Sequence, residues 1–146
     1  MRCNITVYYL DDLHVGQRFT SGSQVLDEAQ IKRFASEFDP QPFHLDEVAA
    51  KATVFGGLAA SGWHTAAVTM RLLVQGGLPI AGGIIGYGGE LSWLKPTRPG
   101  DTLSVVSEIQ SGNSATTALG PRFRGGDQGS HSTTICPYIH GCGVQM

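Results

Sequence analysis

A helix that is apolar and small-sided around much of its surface has to be wrapped by something. The stretch from Ser61 to Gln75 reads as such a helix. Trp63, Ala66, Ala67, Met70, Leu73 and Val74 recur at helical spacing, which marks a buried central element. Gly76-Gly77 and Pro79 end it. The chain has 146 residues, which suits one domain and suffices to bury a core without disulfide or metal staples.

The flanking segments supply candidates for the wrapping. Ile5 to Leu10 reads as an entry strand or extended arm, broken by Asp11, Asp12 and Gly16. Arg18 to Gln24, Ile84 to Glu90, Ser92 to Leu94 and Thr102 to Ile109 are further strand candidates, with a turn-rich link from Lys95 to Asp101. Between the first two strands and the central helix lies a helical segment. Asp27 caps it and Gln30, three residues on, completes a capping box. Ile31, Phe34, Ala35 and Phe38 form its apolar stripe, and Asp39-Pro40 stops it. Pro40 to Phe43 is then expected to be stiff and extended, and Asp46 caps a second, short helix from Glu47 to Lys51.

After Ile109 the character changes. Residues 110–146 hold seven glycines and eight Ser or Thr, against six Val, Ile, Leu, Met or Phe. Ala115 to Leu119 and Thr133 to Ile139 are faint strand signals, and Pro121 to Asp127 reads as loop. The expectation is a core domain over 1–109 and an atypical C-terminal segment over 110–146, left to complete the sheet through irregular strands or an exchanged arm. A domain closed in that way would be less stable than its relatives.

Composition excludes several partners. The net charge of −2 gives no basic footprint for nucleic acid. No stretch approaches a membrane span, and the N-terminus lacks the pattern of a signal peptide, so a soluble cytoplasmic protein is expected. The charged fraction of 15% is low, which fits a surface partly hidden in an oligomer. Cys3, Cys136 and Cys142 imply no disulfide framework. Cys136, His140 and Cys142 match no structural zinc spacing, even with His131 or Cys3 as a fourth ligand, so no metal and no cofactor are expected.

Chemistry concentrates in Phe38-Asp39-Pro40-Gln41-Pro42-Phe43-His44-Leu45-Asp46. Two prolines restrict the loop joining an acid to an imidazole. Such a pair, flanking one water, can take a proton from it and return one to a substrate. The same residues also suit a helix stop and a polar loop histidine. A second stretch, Phe55-Gly56-Gly57-Leu58-Ala59-Ala60-Ser61-Gly62-Trp63-His64, runs a small-residue loop into a helix start. Unpaired N–H groups there can meet developing negative charge, although glycines also permit tight packing.

Together these residues resemble the MaoC-like dehydratase family, which includes the R-specific enoyl-CoA hydratases. Asp39-Pro40-Gln41-Pro42-Phe43-His44-Leu45-Asp46 keeps that family's spacing, with Gln41 where Asn is usual. Ser61-Gly62-Trp63 matches the opening of the family's central helix, and Trp93 to Leu103 matches its strand-to-strand link. The similarity covers about residues 8 to 109.

The resemblance implies an α+β hot-dog fold, an antiparallel sheet wrapped around a long helix, usually as a homodimer. It implies a lyase of fatty acid metabolism that adds water across the double bond of a 2-enoyl thioester of coenzyme A. Asp39 and His44 would activate the water and the Gly62 N–H would hold the thioester oxygen. Gln41, Ser61 and Trp63 would shape the substrate site. Read from the residues alone, His64 is either a pocket residue or a core histidine, and Lys95 and Arg98 either meet coenzyme A phosphates or are solvated surface cations. A hot-dog acyl-CoA thioesterase and a non-catalytic acyl-thioester-binding dimer are the alternatives.

Overall fold

The computed structural model describes residues 6–86, 89–91, 93, 95–113, 116–123, 135–140 and 143–144. Ser92 and Leu94, which bound one expected strand, lie outside them, as do Cys3, His131 and Cys142. Among the described residues no helix is long and apolar enough to cross a membrane.

The chain enters through an isolated bridge between Tyr8 and Ile80 and a short turn of 3-10 helix, Leu10–Asp12, in place of a regular strand. Strand β1 spans Arg18–Val25. Helix α1, Glu28–Phe38, begins with the expected capping box. Asp27 accepts from the Gln30 N–H at 2.7 Å, and the Gln30 side chain accepts from the Asp27 N–H at 3.1 Å. Ile31 and Ala35 are buried on its inner face, whereas Phe38, assigned to the same stripe, is 68% exposed.

Pro42 does not prolong an extended segment. It sits in the first turn of a short helix α2, Pro42–Leu45, where its missing N–H costs nothing. Helix α3 spans Glu47–Lys51 under the Asp46 cap, as its sequence indicates. Helix α4, Gly62–Leu72, continues into a π turn over Leu73–Gly77. Gly76 ends it with φ of 134°, a conformation that favours glycine.

Strands β2, Ile85–Gly86, and β3, Gly89–Leu91, divide the single strand expected there. Strand β4 runs over Thr102–Asn113, β5 over Thr116–Phe123, β6 over Ile135–His140 and β7 over Gly143–Val144. The five-stranded sheet has the order β1-β4-β5-β6-β3, and β2 pairs with β7 apart from it. All pairings in the large sheet are antiparallel.

The C-terminal segment corrects the expectation of irregular strands. β5 runs antiparallel to β4 from Val105↔Phe123 to Asn113↔Thr116, with one irregularity between Ile109 and Ser111. Pro121 lies inside that strand, paired with Ser107, and not in a loop. β6 adds the next position on the other side of β5. Backbone hydrogen bonds between neighbours define a ladder, and they need no side-chain alternation once a well-patterned strand is in place to pair with.

β4 supplies that template. Leu103, Val105, Ser107 and Ile109 are buried at a period of two. With Leu26, Ile31, Leu58, Val68, Leu72, Leu73 and Leu78 the three apolar members make one core between α4 and the sheet. Helix α4 packs on β1 and β4. Its phase differs from the expected stripe. His64, Thr65, Ala66, Val68, Thr69 and Leu72 turn inward, while Trp63 and Val74 are exposed.

Candidate active site

The site is assembled where the end of α1, the turn of α2 and the start of α4 meet. The loop before α4 is threaded between two backbone partners. Ala59 N–H donates to the Phe43 carbonyl at 3.2 Å, and Ala60 N–H to the Thr97 carbonyl at 2.8 Å. Leu58, Ala59, Ala60 and Ser61 are all buried, so the small side chains there let the loop pass through the interior. Ser61 then caps α4 by accepting from the Trp63 N–H at 3.2 Å.

Asp39 receives two donors. Gln41 Nε2 donates to its Oδ1 at 2.7 Å, and Ser61 Oγ donates to its Oδ2 at 2.6 Å. The Gln41 side chain therefore reaches the carboxylate from the position where Asn is usual. Burial pushes the Asp39 carboxyl up, but the bonds from Ser61 and Gln41 and the charge of His44 outweigh that cost. The group is held below its ordinary value of 3.8.

His44 is 4% exposed, and its two ring nitrogens have different surroundings. Nδ1 lies 2.7 Å from the Ala59 carbonyl oxygen. A carbonyl only accepts, so this bond assigns the proton to Nδ1 and leaves Nε2 as an acceptor in the neutral ring. Nε2 stands 3.3 Å from Asp39 Oδ2. A water oxygen about 2.8 Å from both atoms meets them at an angle of about 72°, close enough to give each a proton. Two acceptors side by side turn the protons of such a water toward the pair and its lone pairs outward.

A cleft of about 420 Å³ adjoins this pair. Asp39, Gln41, His44, Ser61, Gly62, Trp63 and Lys95, all singled out from the sequence, line it. Phe43, Phe55, Ala60, Thr65, Pro96, Trp93 and Thr97 complete the wall and were not foreseen as site residues. Only the register of Trp93 to Leu103 against a known pattern hinted at the last three. Thr65 and Thr97 join across the wall by a 3.2 Å hydroxyl contact. Gly62 is the first residue of α4, so its N–H has no acceptor within the helix.

Two expected site residues are placed elsewhere. Arg98 does not line the cleft. Its guanidinium donates to the carbonyls of Gly57 at 2.6 Å, of Leu58 at 3.0 Å and of Phe55, so it clamps the loop and is not presented to a phosphate. His64 is buried on the other side of α4, stacked on Phe34 with ring centroids 4.6 Å apart and planes 4° from parallel. Its Nδ1 has no hydrogen-bond partner among the described residues.

Burial, with a smaller contribution from Arg33, holds the His64 pKa below 6.5. The unfolded chain then binds a proton more readily, so His64 favours unfolding as pH falls below about 6.5 toward its folded-state pKa. The His64→Phe variant keeps the stack and removes the titration. Its melting temperature is expected to fall less than that of the wild type between pH 7 and 5. Parallel melting curves for the two proteins would show that His64 is not the acid-sensitive group.

The model of the "MaoC like domain" family matches residues 13–119, which is most of the chain. The chain belongs to the MaoC-like dehydratase family. YdeM of Bacillus subtilis (strain 168) is 36% identical to this MaoC-like protein over 104 residues, 68% of this chain and 72% of its own length. A MaoC-like dehydratase from Rhodospirillum rubrum has a crystal structure that matches with a TM-score of 0.79 and 49% identity. That match covers 91% of this chain and 97% of the other. An (R)-hydratase from A. caviae involved in PHA biosynthesis matches with a TM-score of 0.70 and 28% identity, over 85% of this chain and 94% of its own. The fold is thus the hot-dog fold of the MaoC-like proteins, and the family's chemistry is hydration and dehydration.

Proposed function

We propose that this MaoC-like protein adds water reversibly across the double bond of a 2-enoyl thioester of coenzyme A. The observation that carries the reading is the acceptor pair, Asp39 Oδ2 and His44 Nε2, set 3.3 Å apart beside an apolar-walled cleft. The family and its (R)-hydratase relative support the same class of reaction.

In this scheme the water oxygen bonds the β-carbon while the Asp39–His44 pair accepts one of its protons. The π electrons move toward the thioester oxygen, which the Gly62 N–H stabilises. The pair then returns a proton to the α-carbon, so it ends as it began. Gln41 and Ser61 keep the carboxylate ionised and aimed. Trp63 and Lys95 line the cleft, and the Lys95 ammonium suits a coenzyme A phosphate.

Purified protein and crotonyl-CoA provide the test. Loss of absorbance from the conjugated double bond without release of free thiol is expected. Thiol release at an intact double bond would identify a thioesterase instead, and tight binding with neither change a non-catalytic binder.

We also propose that the protein is a homodimer. Phe34, Phe38, Trp63, Ala66, Ala67 and Met70 line a second, apolar hollow of about 490 Å³ on the outer side of α1 and α4. Exposed apolar surface of that kind is commonly a contact face. Sedimentation should give twice the chain mass of 15.5 kDa, and the single mass would remove the dimer from the scheme.

A further inference from the structure

We propose that the indole N–H of Trp93 is a second donor to the substrate's thioester oxygen, beside the N–H of Gly62. The proposal rests on the hydratase reading above and deepens it by assigning a residue that the scheme leaves unused.

Gly62 and Trp93 are pressed together. A Cβ built on Gly62 would stand 2.8 Å from Trp93 Cε2 and 3.0 Å from both Cζ2 and Nε1. Real Cβ atoms do not come that close to ring carbon, so glycine is required for the indole to lie where it does. The nitrogen-bearing edge of the ring is the part that meets Gly62. An amide nitrogen is about 2.5 Å from its own residue's Cβ position, so the two nitrogens are at most about 5.5 Å apart. One oxygen about 2.9 Å from each donor tolerates separations up to about 5.8 Å. The spacing of the two nitrogens is therefore compatible with one thioester oxygen meeting both donors.

The surroundings favour such a role. Both residues line the cleft that holds Asp39 and His44. Phe43, Phe55 and Pro96 supply apolar wall in the same cleft, and a fixed dipole is worth more there than in water. As water bonds the β-carbon, negative charge grows on the thioester oxygen. Preorganised donors aimed at that charge lower the barrier without having to reorient. An indole N–H is a donor only, so it cannot compete with the oxygen as an acceptor.

The Trp93→Phe variant keeps the aromatic shelf and deletes the donor. On crotonyl-CoA its kcat is expected to fall about 100-fold with little change in KM, the pattern of a bond that strengthens in the transition state. A second readout needs no turnover. Cinnamoyl-CoA bound to Asp39→Asn should absorb at longer wavelength than in solution, because the donors polarise its carbonyl. The shift should shrink in the Asp39→Asn/Trp93→Phe double variant. If Trp93→Phe folds poorly, the band of the bound double variant, measured at low temperature on folded protein, decides the matter. A wild-type kcat in Trp93→Phe, or an undiminished shift, overturns the donor role and leaves the hydratase reading intact. A wild-type protein that hydrates no enoyl-CoA removes that reading and this role with it.

Discussion

Asp39→Asn is expected to lower kcat/KM for crotonyl-CoA by about 1,000-fold or more while leaving the protein folded. Proton transfer by a positioned group is worth about 10²- to 10⁴-fold, and in the proposed scheme this carboxylate is half of the pair that performs it. The amide has nearly the same shape, so packing changes little. Its NH2 group, however, must face either the Gln41 amide or the Ser61 hydroxyl and His44 Nε2, whereas the carboxylate offers acceptors on both sides. His44→Ala should lose about as much. The double variant should fall little further, because groups that act as a unit are not additive. Multiplicative losses in the double variant would show that the two residues act separately, and near-normal turnover by folded Asp39→Asn would remove the pair from the mechanism.

The pH dependence follows from the depressed Asp39 pKa. A carboxyl held below its ordinary value contributes stability that is complete above the unfolded pKa of about 3.9 and is lost as pH falls through the folded value. At neutral pH the group is therefore ionised and ready to accept. Asp39→Asn should flatten the acid end of the stability curve below about pH 4, and it should leave the region between 5 and 7 to His64.

Where the sequence was legible, the physics was local. The Asp27–Gln30 capping box, the stop at Asp39-Pro40 and the Asp46 cap each join residues within one turn. Strand β4 was legible because its inward residues alternate. The phase of α4 was not, because threonine hides its polarity. Thr69 Oγ1 donates to the Thr65 carbonyl at 2.7 Å, and Thr65 Oγ1 lies 3.3 Å from the Ser61 carbonyl. Both side chains can then turn inward as though apolar, and Trp63 and Ala67 face out. Strands β5 and β6 were faint because their pairing is set by the neighbouring ladder and not by their own pattern. Asp39, Gln41, His44 and Ser61 were legible as a set because a short stiff loop and a helix start carry them. Trp93 against Gly62 was not, since that contact joins segments far apart in the chain.

Arg98 shows the same limit with the larger consequence for stability. Arg98→Met keeps an apolar stem but strips the guanidinium from three carbonyls, those of Phe55, Gly57 and Leu58. Bonds to a charged donor are worth about 1.5–3 kcal/mol each, and partly buried acceptors left bare recover only some of that from water. A net loss of about 3 kcal/mol is expected, or roughly 10 °C in melting temperature for a domain of this size. Arg98→Lys should recover only a fraction, because a single ammonium cannot span the fork that one guanidinium covers. The turn behind Arg98 is itself well fixed. Asp101 accepts from the Arg98 N–H at 2.7 Å, and Gly100, at φ 88°, donates to the Leu26 carbonyl. The arginine thus works as a bracket between that turn and the loop that delivers the Ala59 carbonyl to His44. Loosening the loop should therefore lower kcat even at temperatures where Arg98→Met remains folded, as the Nδ1 bond that fixes the imidazole slackens. Thermal melts and initial rates on the same preparations separate the two effects. A melting temperature within about 2 °C of wild type would mean that these carbonyls lose little without the clamp.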